Sequence, residues 1–345
     1  MGAILFWLVA GMLALYVFLD GFDLGVGALH LLIGRTSGER AILLRTIGPV
    51  WDGNEVWLVA GGGTLYFAFP LLYASAFSGF YLPLMIVLWL LIVRGVSVEL
   101  RMHFQLDLWQ DFFDGLFFLA SALLAIFFGA ALANVLRGVP LGPSRYFFLP
   151  LWTDFRTGPN PGILDWYTVL GGILALVAVA EHGALYIALK TEGALQARAR
   201  RVAKRLWLPL AVLALASLAA TILVRRQTLD NYLHHPFGFI FPVAVAAALG
   251  MMLVFNIIQM DARSFICSGI FLAAMFLGAA FALYPVLMPS TLHSSYDITV
   301  FNAMASHYGL AIGLIWWGFG IALAAAYFVF IYWMFRGKVR TAAAH

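Results

Sequence analysis

Asp20, Asp23, Gly27 and His30 are separated by three, four and three residues. On a helix that spacing places them on one face. Inside a membrane every ionisable group is costly, so such a stripe needs a reason. Two carboxylates and an imidazole in line suit a proton wire, with Asp20 at its deep end. The competing use is structural: the acids bond to neighbouring helices and His30 lies at the surface. A proton role is expected for Asp20 and a surface position for His30.

Further polar residues follow. The run Gly48-Pro49-Val50-Trp51-Asp52-Gly53-Asn54-Glu55-Val56-Trp57 opens the second apolar segment. Asp52 and Glu55 have the spacing of a capping box; in a proton-carrying reading Asp52 extends the stripe. Gly61-Gly62-Gly63 allows another helix to approach closely. Arg94 suits an acid partner or a snorkelling position, and Glu99 and Arg101 follow it. Glu181 and His182 interrupt the fifth segment at a depth matching Asp20. A lone intramembrane histidine serves as a hydrogen-bonding partner more often than as a haem ligand. His234 and His235 are adjacent, so their side chains diverge, and His293 and His307 form no recognisable motif. A haem-bearing bundle shows facing His–His or His–Met pairs. No such pair stands out, nor does a nucleotide loop, HExxH, GxSxG or CxxC. The expectation is no metal site, no catalytic residue and no cofactor bound by this chain alone.

The elements that position these residues follow from composition. Of 345 residues, 63% are hydrophobic and 10% charged, with mean hydropathy +0.95. A soluble chain is about a quarter charged, so lipid must solvate much of the surface. Cys267 is the sole cysteine, which excludes an intrachain disulfide or a thiolate cluster. The basic residues do not interleave with aromatics, which argues against nucleic acid. The first apolar segment is too long and too acidic at its far end for a cleavable leader.

A membrane helix needs roughly 20 apolar residues. Nine stretches qualify, at 4–33, 55–73, 76–98, 112–136, 163–189, 206–224, 239–258, 265–287 and 307–335. Ala74-Ser75 is the junction between the second and third. Period-two barrel strands are absent from the pattern, so the expected fold is an all-α integral membrane protein. With the N-terminus extracytoplasmic and the C-terminus cytoplasmic, 15 of the 20 Lys and Arg residues fall on the cytoplasmic side, as the positive-inside rule requires. The densest patch, 198–205, lies against anionic lipid heads. Gly129-Ala130-Ala131 is echoed by Gly278-Ala279-Ala280, and Asp20-Gly21 by His182-Gly183. One polytopic domain, 1–345, is therefore expected: two four-helix units, 1–140 and 160–290, as a parallel repeat, plus a final helix at 305–335. The outside loop 137–164 reads as irregular packing without a catalytic role.

The motifs resemble one family. Asp20-Gly21-Phe22-Asp23-Leu24-Gly25-Val26-Gly27 is similar to the DGFDxGVG signature of subunit II of cytochrome bd-type quinol oxidases, and Pro49-Val50-Trp51-Asp52-Gly53-Asn54-Glu55-Val56-Trp57-Leu58 to its PxWDGNxxWL segment. Ala76-Phe77-Ser78-Gly79-Phe80-Tyr81, Arg94-Gly95-Val96 and Tyr284-Pro285-Val286-Leu287-Met288-Pro289-Ser290 follow in order. The chain departs from many relatives in the aliphatics of Val98-Glu99-Leu100-Arg101 and in a compact loop between the sixth and seventh segments.

The resemblance implies a heterodimeric terminal oxidase of a respiratory chain, in a bacterial or archaeal cell membrane. It takes electrons from quinol and reduces dioxygen to water. The two haems b and the haem d are held by subunit I. Subunit II is its haem-free partner, stabilises it and contributes to cytoplasmic proton uptake, for which Asp20 and Asp52 match the family's acids. A bound quinone and small single-helix accessory subunits are further expectations. From the residues alone, Asp23 and Glu55 join that route, and His30, Arg94, Glu99, Glu181 and His182 are its polar support. Two other uses stay open at this point. A proton-coupled secondary transporter would suit the acids and the repeat, although matched Gly/Pro helix breaks are missing; a purely structural membrane subunit would use the acids as clamps.

Overall fold

A computed structural model describes residues 1–103 and 106–339. Arg340, counted above among the cytoplasmic cations, lies outside them. The helices are α1 (Gly2–Ile33), α2 (Ser37–Ile47), α3 (Trp51–Ala68), α4 (Pro70–Gly79), α5 (Tyr81–His103), α6 (Asp107–Arg137), α7 (Trp166–Lys190), α8 (Gly193–Val224), α9 (Asp230–His234), α10 (Ile240–Ile257), α11 (Asp261–Leu283) and α12 (His307–Met334). The strands β1 (Val286–Met288) and β2 (Ile298–Thr299) pair antiparallel before α12. Among the described residues eight helices are long and apolar enough to cross a membrane, or nine if α3 and α4 together count as one span.

That pair corrects the second boundary. The chain does not turn at Ala74-Ser75, which lies inside α4. It turns at Phe69, where α3 and α4 meet at 119°. Pro70 is the cause: it lacks an N–H to continue the ladder of α3, disfavours α geometry at the residue before it, and is well placed at the first position of a new helix. Phe69 accordingly has ψ of 64°.

α1 is the central helix, packed against α3, α6, α7 and α11. Its crossing with α7 depends on two glycines. A Cβ at Gly25 would strike the Val179 carbonyl and the backbone of Gly183, and a Cβ at Gly183 would strike the backbone of Gly25. Gly61 faces Leu13 of α1, whereas Gly62 and Gly63 have open space beside them. So only the first glycine of that run serves packing within the chain. α12 is the opposite extreme, with no buried residue in its most apolar window.

One core cluster fills the middle of the bundle around Phe22, Phe117, Leu185 and Phe271. A second closes one end, where Leu141, Phe147, Leu149 and Ile163 of the long loop pack with Phe69, Leu287, Ile298 and Val300. Ala305 N donates to Ala68 O and Val139 N to Pro289 O at this end. At the other end Arg198 reaches Ile33 O and Glu39, Arg200 pairs with Asp261, and Lys190 donates to Phe335 O. The segments rich in Lys and Arg are thus gathered at one end of the bundle.

Candidate functional site

The site is built on the inner face of α1. Asp20, Asp23 and His30 are fully buried, and each is taken up by a different helix. Both oxygens of Asp20 accept from Arg94 of α5: Nη1 donates to Oδ2 at 2.8 Å, and Nη2 to Oδ1. This two-point fork is the strong form of an Arg–carboxylate bond. Arg94 is 1% exposed, so neither charge has water as a substitute partner.

One turn along, Asp23 Oδ2 accepts from Asn54 Nδ2 of α3 at 2.7 Å, and Asn54 Oδ1 accepts from the Tyr332 hydroxyl of α12 at 2.8 Å. Among the described residues Asp23 Oδ1 has no hydrogen-bond partner, and neither do Tyr16 Oη, Trp57 Nε1 or Arg94 Nε. Unsatisfied buried polar atoms are rare and each calls for an explanation. Here all four belong to α1, α3 and α5.

His30 joins a second cluster. Its Nε2 lies 2.7 Å from Asp114 Oδ1 of α6. Asp114 also accepts from Arg101 Nε at 2.9 Å and from Arg40 Nη1 at 3.3 Å. His182 uses both ring nitrogens, Nδ1 with Ser268 Oγ at 2.6 Å and Nε2 with Phe18 O at 3.0 Å, and its ring stacks on Phe265. Glu181 is 2% exposed, and its Oε2 has no partner among the described residues. Outside the spans, the hydrogen bond from Arg198 holds the Glu39 carboxyl below its ordinary range. Among the described residues no three His, Cys, Asp or Glu side chains are arranged to hold a metal ion.

The family model for cytochrome bd terminal oxidase subunit II matches residues 1–335. The chain belongs to this family. Cytochrome bd ubiquinol oxidase subunit 2 of Bacillus subtilis is 35% identical over 315 residues, which cover 89% of this chain and 87% of that protein. Cytochrome bd-I ubiquinol oxidase subunit 2 of Escherichia coli is 30% identical over 373 residues, covering 97% and 94%. In fold, the chain is similar to a chain of the bd oxidase from Geobacillus thermodenitrificans, with a TM-score of 0.69 at 17% identity over 97% of this chain and 98% of that one.

Within this bd subunit II chain the polar residues of the α1 stripe are taken up by separate hydrogen-bonded clusters. Among the described residues no hydrogen bond joins the His30 cluster to Asp20 or Asp23. His30 is not at the surface as expected: it is buried, because Arg40 of α2 and Arg101 of α5 close over Asp114. Asp52 and Glu55 do not form a capping box. α3 begins at Trp51 with Val50 as its cap and no side-chain cap bond, so Asp52 is already in the first turn. It is exposed, and Glu55, one turn on, is half-buried. Glu99 is exposed; its carbonyl accepts from His103 Nδ1.

Sequence reasoning missed Asn54, Tyr332 and Asp114 as site residues. Asp114 was findable as a lone acid within an aromatic and apolar run, 112–119. A second omission is Asp165, which caps α7 through Tyr167 N and Thr168 N and also binds the buried Arg137.

Proposed function

We propose that this chain is the haem-free subunit II of a cytochrome bd-type terminal oxidase. In that complex quinol is oxidised and dioxygen is reduced to water. The two haems b and the haem d, held by subunit I, supply the electron transfer and oxygen chemistry. This chain stabilises subunit I and carries protons toward it from the cytoplasm. The observation that carries the assignment is the family match over nearly the whole chain.

The proton route is read from geometry. Asp52 is its exposed mouth and Glu55 stands one turn deeper, within electrostatic reach of Asp23. Asp23 is the central carrier, because one oxygen is fixed by Asn54 while the other is left to take a proton. Asp20 has both oxygens committed to Arg94. It orients the guanidinium beside Asp23 and does not itself pass the proton on. His30, Glu99, Glu181 and His182 lie outside this hydrogen-bonded core. A buried carboxyl that exchanges protons contributes as a general acid–base group does, by position first.

The architecture proposed is nine-spanning, with α3 and α4 as one broken span. Two four-helix units, 1–140 and 160–290, precede the final helix. The reciprocal contact of Gly25 and Gly183 supports that pairing, since it sets equivalent helices of the two units against each other. The end that gathers Lys and Arg faces the cytoplasm. Small single-helix subunits, and a bound quinone, complete the expected complex.

The test is purification. Expressed with its partner, the chain is expected to leave the membrane with a haem-bearing subunit and a bd-type spectrum; expressed alone, it is expected to bind no stoichiometric haem. A haem spectrum from the chain alone contradicts the haem-free assignment. Failure to co-purify with any haem protein contradicts the oxidase reading.

A further inference from the structure

At the basic end of the bundle a cleft of about 230 Å³ opens between the α2–α3 junction, the end of α7 and the segment after α12. Four cations line it: Arg45, Lys190, Arg336 and Lys338. Among the described residues no carboxylate does. Elsewhere among the described residues, six arginines, Arg40, Arg94, Arg101, Arg137, Arg198 and Arg200, each pair with an acid, while nine other Lys and Arg side chains make no ion pair. The four cations of the cleft also have no such pair among the described residues. Like charges lining one concavity favour an anion that joins them.

The cleft is also held in shape. Lys190 Nζ donates to Phe335 O at 2.7 Å, and Val339 N donates to Lys190 O at 2.8 Å, so the segment after α12 is pinned to α7. The Arg336 guanidinium lies over Trp333, with its centre 4.9 Å from the ring centroid. Tyr186 forms one wall and donates to Thr46 O at 2.8 Å. Tyr332 lines the cleft as well, and its hydroxyl is the one that holds Asn54.

We propose that this cleft binds a phosphate-bearing anion. Arginine and lysine together supply the forked and the point-charge donors that phosphate oxygens accept. The volume suits a headgroup or a small free anion and is below that of a drug-sized pocket. Two sources share this chemistry: the headgroup of an anionic phospholipid, and a free cytoplasmic phosphate compound. Topology alone would also concentrate cations at this end, but it does not require four of them to line one cleft that has no acid among its described lining residues.

The experiment uses the assembled oxidase, stripped of lipid in detergent and studied by native mass spectrometry. The probes are dioleoyl-phosphatidylglycerol, dioleoyl-phosphatidylcholine and inorganic pyrophosphate. The variants are Arg45→Gln/Lys338→Gln in the cleft and Arg35→Gln/Arg263→Gln elsewhere at the same end, with the same change in charge. Lys190 is left intact because it pins the backbone. The wild-type complex is expected to hold one phosphatidylglycerol or one pyrophosphate that the cleft variant binds about thirtyfold more weakly. The control variant is expected to bind as wild type. Selective loss of phosphatidylglycerol assigns the lipid source, and selective loss of pyrophosphate the free one. If the double variant does not assemble, Lys338→Gln alone, at an exposed position, is expected to weaken binding about fivefold. Equal binding of both probes by wild type and cleft variant, equal loss in the control, no binding of either probe by the wild-type complex, or phosphatidylcholine held as tightly as phosphatidylglycerol would each overturn the proposal.

Discussion

At the residue scale, the four acids that the sequence suggests for the route differ sharply in what they touch. Asp20 is forked to Arg94, Asp23 keeps a free oxygen, Glu55 is half-buried and Asp52 is exposed. Removing one partner of a buried ion pair strands the other charge, at a cost of about 3–5 kcal/mol. Arg94→Leu is therefore expected to sharply reduce the yield of assembled complex. Asp20→Asn/Arg94→Gln, with both charges gone, is expected to recover most of that yield; haem d content per membrane protein measures both. The sequence displayed Asp20, Asp23 and Arg94 through their types and spacing, but not which pairs with which. Asn54 and Tyr332 were hidden because neither is charged, and they lie 278 residues apart. His30 was misplaced because periodicity gives its face on α1 and says nothing of the α2 and α5 side chains that cover it.

At the element scale, apolar length alone located most spans. It failed where a span bends, since hydropathy averages over the break at Phe69–Pro70 and does not register direction. Pro70 was the available signal. The glycine signature of α1 has a packing meaning that spacing could only suggest: Gly25 meets Gly183 backbone to backbone. Gly183→Ala is expected to destabilise the purified complex by about 1–3 kcal/mol, the usual range for overpacking. Gly62→Ala, whose added methyl would meet nothing within 4 Å, is expected to be neutral or nearly so. Thermal unfolding in detergent compares the two directly.

At the scale of the whole molecule, the distribution of Lys and Arg predicted which loops share a side, and the fold gathers those segments at one end. A tag at Met1 is expected to be extracytoplasmic and a tag after His345 cytoplasmic, as read by protease protection of sealed vesicles; both tags on one side would contradict the nine-span arrangement. The partner and its haems were legible only through the family resemblance, because an apolar exposed helix such as α12 looks the same whether lipid or another subunit covers it. The central claim is that Asp23 carries protons for oxygen reduction. It is tested most directly by oxygen consumption per haem d in the assembled oxidase bearing Asp23→Asn, beside Glu192→Gln, an exposed acid, as control. Asn keeps the size and the bond to Asn54 within reach but cannot ionise. The account predicts at least about a tenfold loss of turnover for Asp23→Asn at unchanged haem content, and none for the control. A per-haem rate equal to wild type, with the same pH dependence, would contradict it.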